Sequence, residues 1–209
     1  MAAGGPYTTS AAFLEALAEA GVRYIFANLG SDHPGLIEAL ARVKAQGLQG
    51  DVPRLIVCPH ETVALSAAHA YAMVTGEPQA VIVHVDVGTL NLGGAVSNAA
   101  RGRAPVFIFA GAAPYTDQGE LPGGRNEFIQ WIQDVRDQRG ILRNYVKYDN
   151  EIRTGRNVKH LVHRARRCSP RRPGSACPRR RERRRPAARR SPSRRRAPPT
   201  TPRSRAGRR

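Results

Sequence analysis

The sequence predicts an α/β fold, a parallel sheet flanked by helices, with a C-terminal tail outside that fold. Three observations lead there. Strand-like apolar runs alternate with helix-period stretches from about residue 8 to residue 110, the pattern that builds parallel sheets through right-handed crossovers. The run Ala80–Val85 is apolar almost throughout, as expected of a strand covered on both faces. The charge is also sharply divided. Residues 1–165 hold 15 basic and 15 acidic side chains, so the whole net charge of +18 sits in the tail.

Each element has its own signal. Ser10 is a candidate cap for a first helix with an apolar stripe of Phe13, Leu14 and Leu17, stopped by Gly21. Val22–Ala27 reads as a strand. The cluster Gly30-Ser31-Asp32-His33-Pro34-Gly35 reads as a turn. Leu36–Ala45 follows as an amphipathic helix with Leu36, Ile37 and Leu40 inward. Asp51-Val52-Pro53 opens a strand ending at Cys58. An Ala-rich helix then runs from about Thr62 to Thr75, and Gly76-Glu77-Pro78 turns the chain into Ala80–Val85. A glycine turn at Gly88, a helix over 90–101 and a strand Val106–Ala110 complete the alternation. Beyond Gly111 the spacing predicts a polar loop over 114–126 and a helix over 127–138 with Phe128, Ile129, Trp131 and Ile132 partly buried. A last strand over 141–148 and a last helix over 154–165 follow.

The tail, residues 166–209, contains 19 Arg, one Glu and no Leu, Ile, Val, Met or aromatic residue. Such a segment cannot bury a core and is expected to be disordered. Its composition is what GC-rich coding DNA yields when read out of frame. The alternative is a genuine basic arm that binds nucleic acid or other polyanions, although the aromatic interleaving of a single-strand reader is missing. Cys58, Cys168 and Cys177 are too few and too badly spaced for a disulfide framework or a zinc site. No signal core precedes residue 10, and no apolar run approaches the ~18 residues that span a bilayer. The expectation is a soluble protein of a reducing, cytoplasmic compartment.

His60-Glu61 stands where a strand stops and a helix starts. An acid there has a structural role at the free N–H groups of a first helical turn. It also has a chemical one, because strand ends in parallel sheets face the ligand crevice. The surrounding words bear on the choice. After His60-Glu61, an Ala-rich helix ends in Tyr71-Ala72-x-x-Thr75-Gly76. A strand, the turn Gly88-x-x-Asn91, a small-residue helix to Ala100, and Arg103-x-Pro105 follow, while Ile25–Ser31 precedes. Over residues 8 to 165 this series resembles the N-terminal, pyrimidine-binding domain of thiamine diphosphate-dependent enzymes, the acetolactate synthase and benzoylformate decarboxylase group.

The resemblance implies a site. Glu61 would hydrogen-bond the ring nitrogen of the cofactor's aminopyrimidine and favour the imino tautomer that removes the thiazolium C2 proton. Gly30, Ser31, Gly88 and Asn91 would shape the pocket around the ring, and of the glutamines flanking Trp131 (Gln130, Gln133 and Gln138) Gln133 would lie near it. It implies 2-keto acids as substrates, a homodimer in full-length relatives, and Mg²⁺ with the diphosphate held by a separate C-terminal domain. That domain's Gly-Asp-Gly…Asn motif is not in this sequence, so the chain reads as an inactive N-terminal fragment. The segment His84–Asn91 keeps Gly88 and Asn91 but lacks the family's first glycine and its proline.

Other candidates carry blander readings beside the sharp ones. The glycines of 88–94 match neither a dinucleotide nor a P-loop fingerprint. His60-Glu61-Thr62-Val63-Ala64 lacks the second histidine of a zincin. His160-x-x-His163 has one-turn metal spacing, yet two histidines on a surface helix are usually only solvated. His33 and His84 sit at strand ends, where a histidine lines the crevice or is a hydrogen-bonded structural residue. His69 is expected to pack within its helix.

Overall fold

A computed structural model of the chain describes residues 6–121 and 123–168. Four parallel strands, β1 (Tyr24–Asn28), β2 (Arg54–Val57), β3 (Gln79–Val83) and β4 (Val106–Ala110), form one sheet in the order β2-β1-β3-β4. Helix α1 (Thr9–Glu19) precedes β1, α2 (Pro34–Ala45) connects β1 to β2, and α3 (Glu61–Thr75) connects β2 to β3. Two short helices, α4 (Val85–Leu90) and α5 (Gly93–Arg101), connect β3 to β4. A single turn, α6 (Ile129–Ile132), and a last helix, α7 (Val158–Cys168), follow.

Side-chain alternation along the strands builds two cores. Ile25, Ala27, Ala80 and Ile82 face one way, packing with Leu14 and Leu17 of α1 and Val158 and Val162 of α7. Phe26, Val81 and Val83 face the other way, onto Leu65 and Ala68 of α3 and Val96 of α5. All five residues of β3 are buried, which is why Ala80–Val83 is a continuous apolar run, while the buried Gln79 side chain accepts the Tyr24 N–H and donates to the Glu77 carbonyl. Asn28 continues the Phe26 side of β1, so its amide falls on the side that carries α3.

Register decides where the chemistry sits. Asn28, Val83 and Ala110 end their strands at one level, because Asn28 pairs Val83 and Val83 pairs Ala110, and Val57 ends β2 one residue short, beside Ala27. Order reverses at β1, with β2 on one side and β3 on the other. The loops leaving β1 and β3 therefore diverge at a switch point, the usual place of a ligand crevice.

Several elements differ from their sequence expectation. Thr8, not Ser10, caps α1. Its Oγ1 accepts the Ala11 N–H at 3.2 Å from an extended backbone. Ile37 is 48% exposed rather than inward. The chain after β3 does not turn at Gly88 but forms α4. Asp32 accepts the Val85 N–H at 3.1 Å, and the absence of proline leaves α4 its amides. The helix expected over 127–138 shrinks to α6, with Phe128 at 78% and Trp131 at 48% exposure, because Asp137 restarts the chain by accepting the Gly140 N–H. The strand expected over 141–148 is instead 3₁₀ turns at Gln138–Ile141 and Arg143–Tyr145. Arg143 bonds both Asp137 and Asp149, and a strand would hold residues 143 and 149 about 20 Å apart. Helix α7 starts later than expected, at Val158, and runs past Ala165 to Cys168. His163 is not merely solvated: it meets Glu19 at 2.9 Å, beside Lys159. The rest of the tail lies outside the described residues. Among the described residues no helix is long and apolar enough to cross a membrane.

Candidate functional site

Glu61 opens α3 and is buried at 6% exposure. Its position follows from the local chain. β2 ends at Val57, His60 takes an extended backbone, and its Nδ1 accepts the Thr62 N–H at 3.1 Å to cap the helix. Two amides converge on the carboxylate. Asn28 Nδ2, at the end of β1, donates to Oε1 at 3.1 Å, and Asn91 Nδ2, just after α4, donates to Oε2 at 3.0 Å. The Thr62 hydroxyl donates to the Asn91 carbonyl at 2.6 Å, which fixes the loop carrying that amide. Gly88 lies over the same carboxylate, where a Cβ would come within 3.3 Å of Oε1. A carboxylate has about four acceptor positions, so each oxygen retains capacity for a further donor.

A second buried carboxylate stands nearby on the loop after β1. Asp32 Oδ1 lies 2.6 Å from His84 Nδ1 and 2.7 Å from His33 Nδ1, and Oδ2 accepts the Val85 N–H at 3.1 Å. Burial alone would push this carboxyl up, but the two imidazoles and the backbone N–H outweigh it and hold it below the ordinary aspartate value. His33 Nδ1 is also 3.2 Å from the Gly30 amide nitrogen. One nitrogen cannot donate to Asp32 and accept from Gly30. The acceptor-only carboxylate favours the proton on Nδ1, leaving His33 Nε2 as a bare acceptor, and that atom is buried without a partner. The three ligand-type atoms of Asp32, His33 and His84 lie within 4.8 Å of one another. Ligands around one zinc ion stand about 3.3 Å apart, so separations of 2.6 and 2.7 Å are those of hydrogen bonds.

The residues expected from sequence divide into two groups. Glu61, Asn91 and Gly88 come together. Gly30 and Gln133 come together elsewhere, on His84: the Gln133 side-chain nitrogen lies 3.1 Å from His84 Nε2, and a Cβ at Gly30 would overlap the His84 ring. Ser31 is exposed on the intervening turn and is not among the residues bonded to Glu61 or His84. Asn28 and Asp32 were not among the residues expected from sequence, and Gln138 was set behind Gln133. Gln138 Nε2 donates to Thr89 Oγ1 at 3.0 Å and to the Gly111 carbonyl at 2.7 Å, tying the loop after α6 to the strand edge. A signal existed for Asn28, the polar residue ending an apolar strand. Gln138 shared the signal of Gln133, a glutamine close to Trp131, and Asp32 gave none beyond turn polarity.

The family model described as thiamine pyrophosphate enzyme, N-terminal TPP binding domain, matches residues 7–141. The chain belongs to this family. Two solved structures share its fold. One is a chain described as a thiamin diphosphate-dependent enzyme isolated from Mycobacterium smegmatis, at 21% identity and a TM-score of 0.59. The other is the thiamine diphosphate-dependent 4-hydroxybenzoylformate decarboxylase of Rhodococcus jostii RHA1, at 24% identity and a TM-score of 0.58. Each match covers 76% of this chain and 27% of the other. No curated protein matches.

Within this TPP-binding domain the matched span includes Glu61, both asparagines, Asp32, His84 and Gln133, and it ends at residue 141, before α7. The pyrimidine ring of thiamine suits the Glu61 cradle, because a carboxyl group and a ring nitrogen pair through one shared proton. Neutral amides anchor the carboxylate without neutralising it, and the missing side chain at Gly88 leaves Oε1 uncovered on that side.

Proposed function

We propose that this chain binds the aminopyrimidine half of thiamine diphosphate through Glu61, as the N-terminal part of an enzyme acting on 2-keto acids. The observation that carries this reading is the buried Glu61 carboxylate, held by Asn28 and Asn91 beneath Gly88 at the crevice end of the sheet. When bound, thiamine diphosphate supplies carbanion stabilisation. The chain's own part is proton placement and orientation. Glu61 shares one proton with the ring nitrogen, donating it from the carboxyl to the amino form and accepting it from the ring N–H of the imino form. The two asparagines keep the carboxylate aimed, and its burial keeps water from most of it. Gly30, Ser31 and Gln133 complete the pocket wall in this reading. The acetolactate synthase and benzoylformate decarboxylase group remains the subgroup proposed from the sequence series.

The diphosphate and its Mg²⁺ would be held by protein outside the described residues, in a homodimer by the other subunit. The chain spans 27% of the two solved relatives, so a half-site is the expected share. Calorimetry on the full 209-residue chain tests the reading. Thiamine and thiamine diphosphate should bind weakly and with similar affinity, with no Mg²⁺ dependence. Tight, Mg²⁺-dependent binding of the diphosphate alone would contradict it.

A further inference from the structure

We propose that the free edge of β4 is a self-pairing surface, on which a second copy of this chain adds its own β4 antiparallel, about a two-fold axis at Ile108. β4 ends the sheet order, and among the described residues β3 is the only strand paired with it. The residues Val106-Phe107-Ile108-Phe109-Ala110 are all apolar yet only partly buried, whereas β3 is buried throughout. The opposite edge, β2, is shorter and opens on the exposed Arg54, devices that keep sheet edges from pairing. β4 carries no charge. The segment after it returns to both faces of the sheet, with Ile141 and Val146 on one and Ile152 on the other, without forming a strand along the edge.

Backbone direction decides what that edge offers. The Pro105 carbonyl accepts the Gln79 N–H, and the Gly111 N–H donates to the Val83 carbonyl, so odd-numbered residues turn their polar groups to β3. Val106, Ile108 and Ala110 therefore turn theirs to the open side. Around Ile108 the strand reads nearly the same in both directions, Val-Phe-Ile-Phe-Ala. An antiparallel copy centred there exchanges backbone bonds between the two Ile108 residues, and its Val106 carbonyl accepts the Ala110 N–H. Phe107 then stands opposite Phe109 of the second copy, an aromatic cross-strand pair of the kind that stabilises sheets. Charge and composition favour a second copy as the occupant. Residues 1–165 are neutral overall, so two folded parts meet without net repulsion. Residues 169–209 hold no Val, Ile, Leu or aromatic residue, the apolar types that favour strands. One such edge per chain closes the assembly at two copies.

The pairing goes beyond the proposed function, and its test needs no cofactor. Sedimentation equilibrium of the full 209-residue chain should show a dimer that tightens as salt rises, because screening relieves repulsion between two chains of charge +18. Amide exchange at Ile108 and Ala110 should be slow and should quicken on dilution. Ile108→Lys and Ile108→Glu each set like charges across the axis and should weaken association about tenfold or more. An equimolar mixture of the two should recover it, since opposite charges then meet. Ala110→Pro removes an outward N–H and leaves the ladder to β3 in place, so it should weaken association while the chain still melts cooperatively. A monomeric wild type would overturn the proposal, and slow exchange at Ile108 in that monomer would give the edge to a segment of the same chain. So would a dimer that all three variants leave intact, or a mixture of folded variants that stays apart. An assembly that salt dissolves, as bridging of the Arg-rich residues by a polyanion would be, or one that grows beyond two copies, would also overturn it.

Discussion

Two buried carboxylates stand at the same end of the sheet and are held in different ways. Glu61 is flanked by two neutral amides, from Asn28 and Asn91, each on its own oxygen. Asp32 is flanked by two imidazoles on one oxygen and a backbone N–H on the other. Amides fix a carboxylate while leaving it free to take an outside donor. Imidazoles pair with it and carry protons themselves. The space differs as well: a Cβ at Gly88 would only crowd Glu61, whereas one at Gly111 would overlap Asp32. Neighbouring carboxylates with such different partners are suited to different work.

The largest effect that separates the two regions should come from glycine. Gly111→Ala forces the buried Asp32 carboxylate out of its place and should lower stability by about 3 kcal/mol, the upper range for overpacking, in denaturant unfolding. Gly88→Ala meets contacts that need to give only slightly and should cost about 1 kcal/mol or less in the same measurement. Equal losses would remove the spatial half of the contrast.

Next come the asparagines. Asn28→Ala and Asn91→Ala each strip one donor from a buried carboxylate and should cost about 1.5–3 kcal/mol, the range for a hydrogen bond to a charged group, read as a shift in denaturant midpoint. The acid limb of stability is a subtler test. The folded pKa of Asp32 lies below its unfolded value. Its contribution is therefore present above the unfolded value, about 3.9, and is lost as pH falls through the folded one. Asp32→Asn should be less stable than wild type near neutral pH, and the difference should narrow on acidification. A constant difference across that window would mean that the ionised form of Asp32 adds nothing.

The contrast also marks what the sequence could reveal. Glu61 was legible because its signal is local, a strand end followed at once by a capped Ala-rich helix, in an ordered series of family words. The sheet was legible for the same reason, since apolar runs and glycine stops lie within each element. Asp32 and His84 are separated by 52 positions, and only the β1–β3 register brings their loops together. Their sequence signal was a polar turn and a lone histidine. Gln133 was singled out for closeness to the ring, yet the structure gives it His84 as partner. The stretch after Gly111 was the least legible. Its order comes from Arg143 joining Asp137 to Asp149 and from Gln138 reaching back to Thr89, which hydrophobic periodicity cannot express.

The most direct measurement is a calorimetric titration of thiamine into wild-type and Glu61→Gln chains, with a thermal melt of each. Glutamine keeps the volume and can still meet an asparagine, but cannot give the ring a charged acceptor. The account predicts a binding loss of about 10- to 150-fold, equivalent to the 1.5–3 kcal/mol of a charge-assisted hydrogen bond, with both chains still melting cooperatively. Unchanged thiamine affinity beside a lowered melting point would contradict it, and would make Glu61 only the first residue of a helix.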